Sequence, residues 1–240
     1  MPRRPSFIHP HTVAPSTSMM GSVTTIHQQF YKASLPPITL ELLPFASLTI
    51  RSIRRLMATL GEGTRLGVAA SYAKRCALKT LAFSTETRVL LIVMDDKPGL
   101  TDYQKEVLEI GLLCNALLEK HGFFMERIAA ALYLDMGLFI CNAFDINSGG
   151  DTRASTAAYR KVLERARTQY PVDVHVVGKT FAEQRFVQHN KNLFALRAWA
   201  CYVGVQGLPN QPGVIDTSIQ NTEARSNFQS YRLLSERSTQ

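Results

Sequence analysis

Acidic side chains are nearly absent from the first third of this chain. Residues 1–85 hold ten Lys and Arg but only two acids, Glu41 and Glu62, whereas residues 86–240 hold seventeen of each charge. The formal net charge of +8 therefore belongs to the first segment. A segment with charge of one sign attracts polyanions, of which nucleic acid and anionic membrane surfaces are the usual ones.

Paired cysteines and long apolar runs are also lacking. The four cysteines are far apart and form no C-x-x-C pair, which argues against a zinc site or a disulfide framework and predicts free buried thiols in a reducing compartment: Cys76, Cys114, Cys141 and Cys201. The longest apolar stretch, residues 123–144, is interrupted by Glu126, Arg127 and Asp135, so it is too broken to cross a bilayer. Arginines at the amino terminus are followed by no apolar segment, and a secretory signal is not expected.

Helical patterns dominate the rest of the chain. Residues 1–35, rich in Pro, Ser, Thr and His, predict a flexible basic arm, and residues 205–240 predict a polar carboxyl-terminal arm. Residues 36–204 are predicted to form a helical core domain, with basic helices in 45–83 and core helices in 101–203. The predicted fold class is a mainly α helical bundle with flexible arms, and with room for two short strands at 87–94 and 172–177.

The basic helices carry the candidate binding residues. Arginine grips phosphate well because its planar guanidinium offers two parallel donors. Several such contacts give salt-dependent binding without sequence preference. The residues predicted to contact phosphates are Arg51, Arg54, Arg55, Arg65, Lys74, Arg75 and Lys79.

A ten-residue segment resembles a known DNA-binding motif. Residues 66–75 (LGVAASYAKR) are similar to the turn and recognition helix of helix-turn-helix regulators. The resemblance implies that Ser71, Tyr72 and Arg75 face the major groove of DNA.

Enzyme motifs are weak by comparison. Gly178-Lys179-Thr180 follows a predicted strand but lacks the leading glycine of a phosphate loop, so Thr180 is better explained as a helix cap. Asp95 and Asp96 close the apolar run 87–94, and metal nucleases gather carboxylates at strand ends in this way. Turn formation and helix capping explain the same acids, including the downstream Asp135, Asp145 and Asp151. No catalytic residue, metal ligand or cofactor is predicted.

The charge and the layout together favour a non-enzymatic, nucleic-acid-binding structural protein. The layout resembles the nucleoproteins and coat proteins of RNA viruses with helical capsids, which implies RNA rather than DNA as partner, self-association through the arms, and a cytoplasmic or virion location. Three alternatives stay open: a helix-turn-helix DNA-binding regulator, a peripheral membrane or matrix-type protein that binds anionic lipid, and a small metal-dependent nuclease. Residues 1–40 contain no acid, a bias shared by mitochondrial presequences, so the mitochondrial matrix is an alternative location.

Overall fold

Seven strands form one sheet in the computed structural model, which describes residues 21–60, 64–73, 77–94, 101–146, 156–182 and 191–206. The strands are β1 (Ser22–Ile26), β2 (Ile38–Pro44), β3 (Arg65–Tyr72), β4 (Leu78–Ser84), β5 (Arg88–Val93), β6 (Glu119–Gly122) and β7 (Ala143–Asp145). The helices are α1 (Ile50–Met57), α2 (Asp102–Leu108, continued by a π-helical turn at Glu109–Leu113), α3 (Met125–Met136), α4 (Thr156–Ala166), α5 (Val174–Ala182) and α6 (Lys191–Gln206).

The sheet is mixed, with the strand order β1-β2-β5-β4-β3-β6-β7. Strand β4 is antiparallel to both β3 and β5, whereas β3, β6 and β7 are parallel, and so are β2 and β5. Five strands therefore run in one direction. The carboxyl ends of these five strands lie together at one end of the sheet, which we call the carboxyl edge. It is distinct from the outermost strands, β1 and β7.

Helices cover both faces of the sheet. One apolar cluster joins α1, α2 and α3 to one face, around Phe83 and Leu90. A second cluster joins α4, α5 and α6 to the other face, around Trp199. Because the central strands are buried on both sides, their sequences are nearly continuous apolar runs without alternation.

The predicted helical bundle is wrong, and the predicted basic helix over 64–83 is the β3–β4 hairpin. Side chains of β3 alternate between the faces, with Val68 in the first cluster and Ala69 in the second. Small residues are required because α6 lies directly against β3, where a Cβ on Gly67 would overlap the carbonyl oxygen of Ala198. An Ala-rich segment favours a helix locally, but burial on two faces overrides that preference.

Other predicted elements are partly correct. Helix α1 lies within the predicted 45–60, and the Thr49 hydroxyl accepts the Ser52 amide at its start. The apolar run 87–94 contains β5. The predicted strand 172–177 is instead largely the start of α5, because the Asp173 carboxylate accepts the backbone amides of His175 and Val176. The predicted core helices over 101–203 are shorter than expected, since β6 and β7 lie between them.

Residues of the predicted amino-terminal arm take part in the fold. Strand β1 pairs with β2, and the buried Phe30 ring stacks on Phe181 and Trp199 with centroid distances of 5.2 and 6.0 Å. Residues 1–20 and 207–240, which hold the rest of both predicted arms, lie outside the described residues. Within the described ranges, every helix is too short or too polar to span a membrane.

Candidate functional site

Strand β3 is the point at which the strand order reverses, because β4 and β5 follow on one side of it and β6 and β7 on the other. It has antiparallel β4 on one side and parallel β6 on the other. In open α/β sheets, ligands bind in the crevice outside the carboxyl ends of strands at such a switch point. The carboxyl edge at β3 and β6 is therefore the candidate site.

An arginine and a tyrosine meet at this position. Tyr72 is the last residue of β3, and Arg127 belongs to the first turn of α3, which follows β6. The Arg127 guanidinium carbon lies 4.3 Å from the centroid of the Tyr72 ring. Tyr72 is half-buried against the first cluster and Arg127 is exposed. A planar cation over an aromatic ring presents donors and a stacking surface together.

The start of α3 is fixed by an acid from the neighbouring strand. Phe124, which precedes the helix, has φ 57° and ψ 49°, a left-handed conformation that is unfavourable for a bulky residue. The Asp145 carboxylate at the end of β7 accepts the Met125 amide at 3.1 Å. This contact caps the first turn of α3 and thereby positions Arg127.

The helix-turn-helix prediction is wrong, because residues 65–72 form a strand. Ser71 is buried on β3, where its hydroxyl lies 2.6 Å from the Thr80 hydroxyl of β4. Tyr72 lies on the same strand, and Arg75 lies outside the described residues. A strand in the middle of a sheet cannot enter the major groove as a recognition helix.

Carboxylates pair with Arg55 and Arg65, which are among the described residues predicted to bind phosphate. Glu41 on β2 is almost fully buried and accepts from Arg55 of α1 and from Arg88 of β5, at 3.2 Å (Nε) and 3.1 Å (Nη1). Arg65 on β3 donates to Glu119 on β6 at 3.1 Å and to the Val205 carbonyl at 3.0 Å. Arg55 and Arg65 thus hold parts of the fold together.

Glu119 also contacts a buried histidine. The Nε2 atom of His121 lies 3.0 Å from the Glu119 carboxylate, and the ring stacks on Phe144 at 5.0 Å. Burial would raise the pKa of Glu119, but hydrogen bonds from His121 and Arg65 lower it overall. Burial lowers the pKa of His121 and outweighs the opposing effect of Glu119. A neutral ring that donates Nε2–H to Glu119 leaves Nδ1 buried without a partner among the described residues.

The seven predicted cations do not all share one surface. Arg51 and Arg54 are exposed on α1, and Lys79 is half-buried near the carboxyl edge. Arg65 is seven residues from Tyr72 along β3, which places it roughly 23 Å from the carboxyl edge. Lys74 and Arg75 lie outside the described residues. Phosphate contact by each of the seven predicted residues stays a prediction. The fold does not place all of the described ones in a single groove.

The described acids at the carboxyl edge do not form a metal centre by themselves. Divalent cations in nucleases need several carboxylates converging on the ion. Asp145 caps α3, the Asp135 carboxylate accepts the Leu78 amide at 2.7 Å, and Glu126 is exposed on α3. Among the described residues, no group of three His, Cys, Asp or Glu side chains could hold a metal ion. Asp95, Asp96 and Asp151, the other acids of the nuclease alternative, lie outside the described residues.

The described chain is thus an α/β domain, a mixed seven-stranded sheet between two layers of helices. No protein-family model and no curated protein matches the sequence. Solved structures do resemble it, and two of those below are named as nucleases. Trypanosoma brucei RNase D matches with 11% identity and a TM-score of 0.47, over 72% of this chain and 66% of that one.

Two further structures resemble the chain to a similar or lesser degree. Brucella melitensis NrnC matches with 11% identity and a TM-score of 0.46, over 79% of this chain and 88% of that one. The EXD2 exonuclease domain matches with 14% identity and a TM-score of 0.35, over 68% and 86%. These values are too low to carry an activity or a residue assignment across to this chain.

The predicted coat-like function is wrong, together with its viral and capsid character. It required a helical bundle with a continuous basic surface, whereas the chain forms a sheet in which the basic hairpin is central and Arg55 and Arg65 are paired with acids. Two of the structures compared above, an RNase D and an exonuclease domain, are named as nucleases.

Proposed function

We propose that this protein binds nucleic acid at the carboxyl edge of its sheet, with the Tyr72–Arg127 pair as the principal contact. The observation that carries the proposal is the guanidinium held 4.3 Å from the tyrosine ring at the switch point of the sheet. Nucleic acid is the substrate class of a nuclease, and two of the compared proteins are nucleases by name. The proposal for this chain depends on its own residues.

The chemistry of the pair suits a single strand. Every base has a flat face that can stack on a tyrosine, so aromatic contacts tolerate different sequences. Arg127 supplies a planar cation for a neighbouring phosphate. Since the contact with the Tyr72 ring already orders the Arg127 side chain, less side-chain freedom is lost when a strand binds. The base of a nucleotide can therefore stack on Tyr72 while a neighbouring phosphate binds Arg127.

Further cations extend the proposed surface. Strand β2 ends at Pro44 on the carboxyl edge, and α1, with the exposed Arg51 and Arg54, follows it. Lys79 lies close to the same edge, because its carbonyl accepts the Met94 amide just beyond β5. We retain these three as proposed phosphate contacts. The proposal includes no metal and no cleavage step, because the described acids do not fit a metal centre.

Fluorescence anisotropy with a labelled single-stranded RNA or DNA oligonucleotide tests the proposal. Removing the stacking ring in Tyr72→Ala should weaken binding by about 1–3 kcal/mol, which is roughly 5- to 150-fold in Kd. Removing the cation in Arg127→Ala should weaken binding to all sequences alike and reduce the salt slope by about one. Tyr72→Phe keeps the ring and should bind like the unchanged chain.

A matched control uses an arginine on the other side of the sheet. Arg160 is exposed on α4 and pairs with Glu164, so Arg160→Ala removes the same charge away from the carboxyl edge. It should leave affinity unchanged. Equal losses for Arg127→Ala and Arg160→Ala would show that binding follows overall charge, and unchanged binding in Tyr72→Ala would contradict the proposed site.

A further inference from the structure

Two cysteines that are distant in sequence meet near the entry to β7. Cys114 follows the π-helical turn after α2, and Cys141 precedes β7. Their sulfur atoms are 3.4 Å apart, and the Cys141 thiol donates to the Cys114 sulfur. Both residues are free thiols and only half-buried. The sequence predicts isolated thiols, so this meeting is a product of the fold.

Backbone contacts hold the two cysteines in this position. The Cys141 amide donates to the Leu113 carbonyl at 2.9 Å, which ties together the chain segments next to both sulfurs. The Cys114 amide donates to the Glu109 carbonyl at 2.6 Å. A disulfide needs a sulfur separation of about 2.05 Å, so the remaining gap is small enough for side-chain rotation to close.

A buried lysine lies beside the pair. Lys120 on β6 is fully buried, and its ammonium donates to the carbonyls of Asn115 and Leu118 at 2.9 and 2.8 Å. Burial lowers the pKa of Lys120 to about 8, against the opposing influence of the two cysteines. Burial raises the pKa of Cys114 to about 12, helped by Cys141, with Lys120 acting in the opposite direction. The Cys114 thiol therefore stays protonated at neutral pH, and its reaction is expected to speed up at alkaline pH.

We propose that Cys114 and Cys141 form an oxidisable dithiol that a peroxide converts to an intramolecular disulfide. One sulfur, after losing its proton, attacks a peroxide oxygen, the O–O bond breaks, and a sulfenic acid and water form. The second sulfur attacks the sulfenic sulfur, the S–S bond forms, and the hydroxyl leaves as water. For hydrogen peroxide, two thiols and one peroxide give one disulfide and two waters, and the peroxide receives the two electrons that the thiols lose.

The disulfide would tie the end of the α2 segment to the strand at one edge of the sheet. Strand β7 is short and pairs only with β6 among the described strands. A covalent link just before it closes a loop between residues 114 and 141 and restricts the unfolded chain. Oxidation is therefore expected to raise the melting temperature by several degrees. This inference is independent of nucleic-acid binding.

Thiol labelling of the full chain tests the dithiol. The purified protein is treated with hydrogen peroxide, denatured, labelled with a maleimide and weighed by mass spectrometry. Oxidation should protect two of the four thiols, and peptide mapping should find Cys114 linked to Cys141. Formation of this link should be faster at pH 9 than at pH 7, and a thiol reductant should reverse it.

Cysteine variants distinguish the Cys114–Cys141 disulfide from oxidation at other cysteines. Cys114→Ser and Cys141→Ser should each abolish the link and the rise in melting temperature, while far-ultraviolet circular dichroism reports whether each variant folds. Cys201→Ser is the matched control, because Cys201 is fully buried in α6 and should not take part. A link that involves Cys76 or Cys201, links between molecules, or four labelled thiols after oxidation would overturn the inference, as would a product that stops at sulfinic acid.

Discussion

At the scale of single residues, a buried acid neutralises two of the cations that the sequence offers. Glu41 is one of the two acids in the basic first third of the chain, and it binds both Arg55 and Arg88. The sequence shows that Glu41 is present but not that it lies between these arginines, because the contact with Arg88 depends on the parallel pairing of β2 with β5. Charge counted along a sequence therefore overstates the charge that a partner can reach.

Replacing Glu41 by Gln should cost much more stability than replacing an exposed acid. The substitution leaves two guanidinium groups facing a neutral side chain, and because both arginines are partly exposed, we expect a loss of about 2–3 kcal/mol, below the range for fully buried pairs. Glu164→Gln removes an acid from an exposed pair on α4 and should cost less than about 0.5 kcal/mol. Urea unfolding measures both, and equal losses would refute a stabilising role for Glu41.

The buried histidine predicts how stability depends on pH. Burial lowers the pKa of His121 in the folded protein, so the unfolded chain binds the proton more readily. The free energy of unfolding should therefore fall as pH decreases below about 6.5, the ordinary pKa of histidine, until the folded-state pKa is reached. The lowered pKa of Glu119 adds a second loss at more acidic pH, below about 4.3.

Urea unfolding between pH 7 and pH 5 measures the histidine effect. His121→Gln removes the titrating ring and should flatten the decline in this range. A variant with the same pH dependence as the unchanged chain would assign the decline to another group.

At the scale of elements, the β3–β4 hairpin shows where local patterns fail. Residues 64–83 are rich in alanine and contain four basic residues, which favours a helix. Contacts with α6 on one face and with the first cluster on the other decide the outcome. By contrast, α1 and β5 were predictable, because a capping threonine and a β-branched apolar run act within a few residues of sequence.

Gly67 gives a direct measure of the packing between β3 and α6, and Gly178 serves as the control. A Cβ at Gly67 would overlap the backbone of Ala198 and Tyr202, so Gly67→Ala should destabilise the protein by about 1–3 kcal/mol or more. A Cβ at Gly178, inside α5, meets no atom within 4 Å, and Gly178→Ala should stabilise by about 0.5–1 kcal/mol. Thermal unfolding measures the change in stability of both variants. An unchanged stability of Gly67→Ala would mean that α6 does not pack directly against β3.

At the scale of the whole molecule, the strand order brings together residues that are far apart in the sequence. The candidate site combines Tyr72 with Arg127, which are distant in sequence and adjacent because β6 pairs with β3. The sequence identifies Tyr72 as a contact in the major groove of DNA, but through a helix-turn-helix motif that the fold does not form. It identifies Arg127 only as a charged residue that interrupts an apolar run. A charged residue at the start of an apolar stretch was the available signal. Its partner could not be identified without the order of the strands.

Photochemical crosslinking tests the central claim most directly. A photoreactive oligonucleotide is bound to the full chain, irradiated and mapped by mass spectrometry of the crosslinked peptides. We predict crosslinks to Tyr72 and to residues 124–127, both at the carboxyl edge. Crosslinks confined to α4 and α5, or an oligonucleotide that does not bind at all, would contradict the assignment of nucleic-acid binding to this edge.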